Sequence, residues 1–173
     1  PAGVTRIGYN AFEQTNLASI VLPEGLTTLE SWMFNGCENL TSVKIPGSVT
    51  EIGDGVFNGC RSLTSVEIPD AVTVIHDDTF RNCENLKKVV VPNSVTKLGV
   101  EVFENCPNVV IYCYAGSAAE EYAKSNGISY ELLDEWAESD FIFEFVDGGF
   151  VITGYKGEET DIVIPGIWKN KEG

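Results

Sequence analysis

The chain has 173 residues, of which 43% are hydrophobic and 21% charged, so it carries enough apolar material for a core and lacks the composition of a disordered protein. Its formal net charge of −15 argues against nucleic-acid binding, which depends on Lys and Arg displacing counterions from phosphates. No apolar run approaches the roughly 18 residues of a membrane span, and the first residues, PAGVTRIG, lack the pattern of a secretion signal. We therefore expect a folded protein that neither binds nucleic acid nor inserts into a membrane.

A repeat of 22 or 23 residues runs through most of the chain. The stretch FNGCENLTSVKIPGSVTEIG at residues 34–53 is nearly repeated by FNGCRSLTSVEIPDAVTVIH at residues 57–76. The same spacing aligns one phenylalanine in each unit, at Phe12, Phe34, Phe57, Phe80 and Phe103. A fixed period of this length predicts a solenoid rather than an ordinary globular domain.

Each repeat begins with a short strand. In LTSVKIP, Val43 and Ile45 alternate with Ser42 and Lys44, which is the period-two pattern of a strand with one buried face, and Pro46 ends it. The inward-facing apolar side chains of one coil cannot be buried from water by that coil alone. Coils must therefore stack, strand on strand, about 4.8 Å apart, and bury their aliphatic and Phe columns between neighbours.

A turn closes each coil after the phenylalanine. One column of this turn contains residue types that tolerate positive φ, namely Gly36, Gly59, Asn82 and Asn105. The repeats thus predict a right-handed β-solenoid of about five coils of 22–23 residues with short parallel strands.

The pattern fails after residue 114, where GSAAEEYAKSNG predicts a helix near 117–126. Ser117 and Glu120 have the spacing of a capping box, and Gly127 is suited to end the helix. An open solenoid end exposes apolar surface and an unpaired strand edge. We therefore expect this helix, with ISYELL after it, to close a repeat array that spans residues 1–134.

Residues 135–173 do not continue the repeat array of residues 1–134. An acidic linker, DEWAESD, precedes FIFEFVDGGFVITGY, which predicts a β-hairpin around Asp147, Gly148 and Gly149. DIVIPG then repeats the strand pattern at Ile162 and Ile164, so the first, truncated strand of a further repeat array is expected here. The acidic residues between 120 and 161 are most simply a solvated surface, with an interaction or cation-binding role as the alternative.

The spaced pattern F-x-x-C-x-x-L-x-x-V-x-I-P-x-x-V-T-x-I-G resembles the BspA-like, or Treponema-type, leucine-rich repeats of bacterial surface proteins. The resemblance covers residues 1 to about 134, and GSAAEEYAKSNGISY and VITGYKGEETDIVIP are similar to segments that close and open arrays in that family. It implies a leucine-rich repeat β-solenoid in a large secreted or surface-attached protein that adheres to host or neighbouring-cell proteins.

The cysteines do not have the spacing of a metal site. Zinc sites require close-spaced pairs such as C-x₂-C, whereas four of the five recur once per repeat, at Cys37, Cys60, Cys83 and Cys106. Stacked coils also aim equivalent Cβ atoms poorly for disulfides, so we expect buried, reduced thiols. Counting by 23 residues places Cys113 in the outward strand column, where it would be partly exposed.

His76, the single histidine, falls in a turn column and is expected at the surface.

A binding surface is expected on the outward side of the strands, where solenoids present a continuous face. We call the following positions the strand face: Ser42, Lys44, Ser65, Glu67, Lys88 and Val90. The alternative is that they only keep the sheet soluble. Trp32 occurs in a column of small or polar residues, so its ring is either an exposed interface anchor or packed on the neighbouring coil.

The repeat columns contain no convergent polar constellation, so we expect no enzyme activity and no cofactor or metal. The favoured hypothesis is a monomeric, extracellular adhesion module that binds a protein partner. The alternative is a structural spacer that presents another domain and has no partner of its own.

Overall fold

The fold was described from a computed structural model, which covers residues 3–133 and, further along the chain, the backbone of 141–146 and 149–155. The chain divides into two compact units, Pro1–Leu133 and Asp134–Gly173. The first unit is the repeat array. Its coils stack in register, which confirms the prediction of a solenoid with short parallel strands.

Two parallel sheets form the walls of the array within residues 3–133. The major sheet consists of β1 (Ser19–Val21), β3 (Ser42–Lys44), β5 (Ser65–Glu67), β7 (Lys88–Val90), β9 (Val110–Cys113) and β10 (Ser129–Leu132), in that spatial order. The minor sheet consists of β2 (Thr28–Leu29), β4 (Glu51–Ile52), β6 (Val74–Ile75) and β8 (Lys97–Leu98). Each coil contributes one strand to a wall, and the same strand of the next coil lies beside it.

The core between the walls is built from the repeated apolar columns. The phenylalanine rings form a continuous stack, with centroids 5.3, 5.6, 5.5 and 5.4 Å apart along the series Phe12, Phe34, Phe57, Phe80 and Phe103. Offset stacking at such distances adds to the energy of burial. The three central rings are fully buried, so the stack is the axis of the core.

The predicted cap is also confirmed. Helix α1 spans Ala118–Asn126, with Ser117 at its N-terminus accepting a hydrogen bond from the Glu120 backbone N–H at 3.2 Å. Gly127 ends it in the left-handed conformation, with φ of 66°. ISYELL supplies β10, which pairs in parallel with β9 and forms the last strand of the major sheet.

The second unit contains the predicted hairpin strands, β11 (Phe141–Val146) and β12 (Gly149–Tyr155), which pair antiparallel. The acidic linker, two of the predicted turn residues and the DIVIPG strand lie outside the described residues. The assignment of these segments therefore stays a prediction.

The predicted register of the last repeat strand was wrong by one residue. Val89 pairs with Ile111, which is 22 positions later, whereas Cys83 and Cys106 are 23 positions apart. The chain is one residue shorter between Cys106 and Ile111 than in the preceding coil. Because strand side chains alternate between faces, this shift exchanges inward and outward positions along β9.

Cys113 is consequently buried rather than partly exposed. Its side chain is 0% exposed and takes the inward position, while Tyr112 takes the outward one beside Val90. Burial raises the pKa of the Cys113 thiol. The expectation of an accessible thiol at this position was wrong.

Candidate functional site

The outward residues of three neighbouring strands form the strand face. Each strand has the burial pattern of a sheet with one covered side, since Val43, Val66 and Val89 point into the core. Five of the predicted outward residues are exposed and Val90 is half-buried. All six line one open depression of about 730 Å³, whose remaining lining includes Ile45, Ile68, Pro69 and Asp70.

The strand register arranges these side chains in two rows across the sheet. One row contains Ser42, Ser65 and Lys88, which are paired directly across β3, β5 and β7. In the other row Glu67 is paired with Val90. Neighbouring strands lie about 4.8 Å apart, so side chains of one row are close enough to contact a common partner group.

The charged groups of the strand face have no ionic partner among the described residues. In the described part of the structure neither Lys44, Glu67 nor Lys88 forms an ion pair. By contrast, Arg61 bonds to Glu38 and Glu84, both at 3.2 Å, on the turn side of the coils. The strand face therefore keeps its charges available to a ligand.

Tyr112 extends the strand face and was missed in the sequence because of the register error. It lies beside Val90 in the second row, and the Lys88 ammonium group is 4.7 Å from the centre of its ring. Desolvation raises the pKa of the Tyr112 hydroxyl, and the negative charge of Glu131 on β10 raises it further. The segment Val109–Cys113 contains no charged residue, so its sequence gave no sign of which side chains face outward.

Trp32 does not join the strand face. It follows the minor sheet in a turn, has a φ of 60°, and is half-buried. Its ring lies against Gly55 of the next coil, where an added Cβ would be 2.4 Å from two ring carbons. The ring is thus packed on the neighbouring coil, which was the alternative to an exposed anchor.

The four repeated cysteines are buried and free, as predicted. Each thiol donates a hydrogen bond to the phenylalanine carbonyl of the preceding coil; the distances are 2.9 Å for Cys37, 3.2 Å for Cys60, 3.1 Å for Cys83 and 3.0 Å for Cys106. Burial raises the pKa of the Cys60 thiol, and a negative charge on Cys37 would raise it further. These thiols act as small core residues with a fixed backbone partner.

The described residues contain no cluster of metal-ligating side chains. They contain no group of three or more His, Cys, Asp or Glu side chains arranged to hold a metal ion. His76 lies in a surface turn with its Nδ1 atom 3.7 Å from an Asp54 carboxylate oxygen, and both side chains are well exposed. In the same part of the chain, no helix is both long enough and apolar enough to cross a membrane.

The repeats identify the protein family. The profile of the BspA type leucine rich repeat region, which contains six copies of the repeat, matches residues 1–111. The chain belongs to this family. Leucine rich repeats are a general protein-interaction fold.

Solved structures of bacterial leucine rich repeat proteins share the fold. A leucine rich cell surface protein from Faecalibacterium prausnitzii A2-165 matches 75% of this chain with 36% identity and a TM-score of 0.64. The leucine rich repeat protein of T. pallidum matches 61% of it with 30% identity and a TM-score of 0.59. A leucine-rich repeat protein from Bacteroides ovatus, 22% identical over 73% of the chain with a TM-score of 0.56, supports the fold alone.

The chain matches half or less of the length of each of these solved proteins. The chain covers 33% of the F. prausnitzii protein, 50% of the T. pallidum protein and 45% of the B. ovatus protein. No curated protein matches the sequence. The comparisons therefore establish the repeat family and the fold of the chain.

Proposed function

We propose that the chain is a non-catalytic protein-binding module of a bacterial cell-surface protein, with the strand face as its recognition surface. The observation that carries this proposal is the continuous depression of about 730 Å³, lined by exposed side chains of three strands in register. Rigid strands hold these side chains at fixed spacings, so binding a partner costs little backbone ordering. The F. prausnitzii relative is a cell surface protein, which supports an extracellular location.

The charge on the face supports recognition of a protein rather than of a uniform polyanion. The face contains Lys44 and Lys88 together with Glu67, and Asp70 lies on the rim of the depression. Binding to nucleic acid would require a large surplus of positive charge, whereas the two Lys of the depression are balanced by Glu67 and Asp70 and the whole chain has a net charge of −15. Mixed charge beside apolar surface is common at protein–protein interfaces.

The proposal is tested by removing the charged side chains of the face. The full 173-residue chain is displayed on cells with Lys44, Glu67 and Lys88 all changed to Ala, and binding to host matrix and epithelial proteins is measured. We expect affinity to fall about tenfold or more, because losing interface contacts worth about 1.4 kcal/mol has that effect. The matched control carries Glu51→Ala and Lys97→Ala, which remove exposed charges from the minor sheet.

The two variants have separate outcomes. If the control binds as the unmodified chain does and the triple variant does not, the strand face is the recognition surface. If a folded triple variant adheres normally, the module acts as a spacer that presents another domain and the proposal is wrong. Circular dichroism of the purified variants tests whether both remain folded.

A further inference from the structure

The strand face and its continuation on β9 are not uniform along the array. Towards its middle, the outward side chains on β3 and β5 are Ser42, Lys44, Ser65 and Glu67, none of which presents a large apolar group. Towards the helix, the outward residues on β7 and β9 are Lys88, Val90, Val110 and Tyr112, which we call the Tyr112 patch. At the opposite end of the major sheet Val21 is 94% exposed, but it lies beside Lys44, so only the end near the helix brings several apolar side chains together.

The Tyr112 patch has the composition of an interface hot spot. Tyr is among the residues most enriched at such sites, and here it lies beside two valines on neighbouring positions of the sheet. Val90, Val110 and Tyr112 are each half-buried, so they form a nearly flat apolar surface that retains exposed area. The ring has a neighbour on each side, because the Lys88 ammonium group lies over it at 4.7 Å and Glu131 on β10 is paired with Tyr112.

The Lys88 ammonium group gives this surface a charge preference. It contacts the Tyr112 ring at 4.7 Å, and no carboxylate in the described part of the chain pairs with it. An aromatic ring attracts a cation but does not neutralise it, so Lys88 can still bind an external carboxylate. Such a carboxylate would approach at the edge of the apolar surface rather than over its centre.

We propose that the Tyr112 patch is the energetic centre of the interface and that it binds a protein segment in which a large apolar side chain lies next to Asp or Glu. The apolar side chain packs on Val90, Val110 and Tyr112, and the carboxylate pairs with Lys88. This inference rests on the proposed function, since it specifies which part of the face binds and what chemistry the partner offers. The polar end of the face then contributes little to affinity.

The experiment selects peptides without knowledge of the natural partner. The full chain is immobilised and panned against a phage-displayed library of random 12-residue peptides. We expect enrichment of peptides with Phe, Tyr, Trp, Leu or Ile within two positions of Asp or Glu. Binding of the selected peptides should fall at least about tenfold with Tyr112→Ser, the magnitude expected for loss of a hot-spot side chain.

Two further variants separate the apolar and charged contributions. Lys88→Gln should keep the preference for apolar side chains and lose the preference for Asp and Glu. Lys97→Gln removes an exposed positive charge from the minor sheet, outside the strand face, and should leave binding unchanged. Tyr9→Ser is the control for tyrosine removal, since Tyr9 is 61% exposed and lies outside the major sheet.

The inference is wrong if no peptides are enriched, if they lack the paired apolar and acidic residues, or if they bind the folded Tyr112→Ser variant as tightly as the original chain. Lys88→Glu, at an exposed position, provides a second test if Tyr112→Ser proves unstable, and it should select peptides with Lys or Arg instead. The proposed function has an independent outcome. A loss of adhesion in the triple alanine variant together with normal adhesion of Tyr112→Ser would retain the face and reject the patch.

Discussion

At the scale of single residues, the most informative feature is a column of left-handed backbone conformations. Asn10, Trp32, Gly55, Asp78 and Glu101 follow one another in successive coils, with φ between 55° and 60°. Such angles cost a non-glycine residue roughly 1–2 kcal/mol. They are held by the stacking, because the backbone N–H of Trp32 bonds to the Asp54 carbonyl at 2.8 Å and that of Gly55 to the Asp77 carbonyl at 2.9 Å.

Gly55 has a second role, which is to make room for Trp32. We predict that Gly55→Ala lowers the free energy of unfolding by about 1–3 kcal/mol, because the new methyl group would overlap the Trp32 ring and the residue would keep its positive φ. Urea unfolding followed by circular dichroism measures the change. Gly47→Ala is the matched control, since an added Cβ there meets no atom within 4 Å.

A double-mutant cycle isolates the contact between the two side chains. Trp32→Ala removes the ring, so the cost of Gly55→Ala should be smaller in that background and should reflect the backbone conformation alone. Equal costs of Gly55→Ala with and without the ring would contradict the packing of Trp32 on this glycine.

The sequence predicted one of the two left-handed columns. Gly36, Gly59, Asn82 and Asn105 have φ of 59° to 70°, as their residue types indicated. In the column that contains Trp32, the residue types Asn10, Gly55 and Asp78 tolerate positive φ, but Trp32 and Glu101 interrupt the pattern, so the column was not recognised. Its conformation is imposed by hydrogen bonds between coils, which the sequence of one coil does not reveal.

At the scale of secondary-structure elements, α1 closes the array with the buried Ala119 and Ala123 and with Tyr122 at the end of the phenylalanine stack. The Tyr122 ring meets the last ring of the phenylalanine stack, Phe103, edge to face at a centroid distance of 6.1 Å. Its hydroxyl oxygen accepts a hydrogen bond from the Val102 backbone N–H at 3.1 Å. The helix therefore covers the apolar end of the core and satisfies a buried donor there.

We predict that Tyr122→Phe costs about 1–3 kcal/mol of stability, because the buried Val102 N–H loses its partner while the ring is retained. Tyr122→Ala should cost more, since it also uncovers Phe103. Thermal unfolding of the full chain and its variants measures both effects. Tyr9→Phe removes a hydroxyl from an exposed ring and should have no effect.

The ranking of Tyr122→Phe, Tyr122→Ala and Tyr9→Phe by stability tests this account of the helix. Equal stability of Tyr122→Phe and the unmodified chain would show that the hydroxyl does not serve as the acceptor for Val102. Equal costs of Tyr122→Phe and Tyr122→Ala would show that the ring does not cover the core.

The ends of the array differ in how far sequence could predict them. Helix α1 follows from local signals, since Ser117 caps its N-terminus and Gly127 ends it as expected. The Glu120 carboxylate accepts a hydrogen bond from the Gly116 backbone N–H at 2.6 Å, one residue before the position that a capping box predicts. The strand β9 has no such signal. Val110, Ile111 and Tyr112 are all compatible with either face, and only pairing with β7 decides which of them lies outward.

At the scale of the whole repeat unit, residues 3–133 form a one-dimensional array. The same contacts recur between each pair of neighbouring coils: ring on ring, thiol to carbonyl, and strand beside strand. Stability in such an array is the sum of the coils and of the interfaces between neighbours. A side chain with a coil on both sides therefore contributes to two interfaces, and one near an end contributes less.

The phenylalanine stack provides a direct test of this account. We predict that Phe57→Ala lowers the free energy of unfolding by about 3–5 kcal/mol, because Phe57 is fully buried between Phe34 and Phe80 and its removal leaves a cavity in two interfaces. Phe12→Ala should cost about 1–2 kcal/mol, since Phe12 is half-buried and stacks on Phe34 alone among the described rings. Urea unfolding of the full chain gives both values, and hydrogen exchange shows where protection is lost.

We expect Phe57→Ala to reduce protection in the coils on both sides of it, whereas the effect of Phe12→Ala should be confined to the first coils. Similar costs, or loss of protection throughout the array in both variants, would mean that the coils unfold as a single globular unit rather than through interfaces between neighbours.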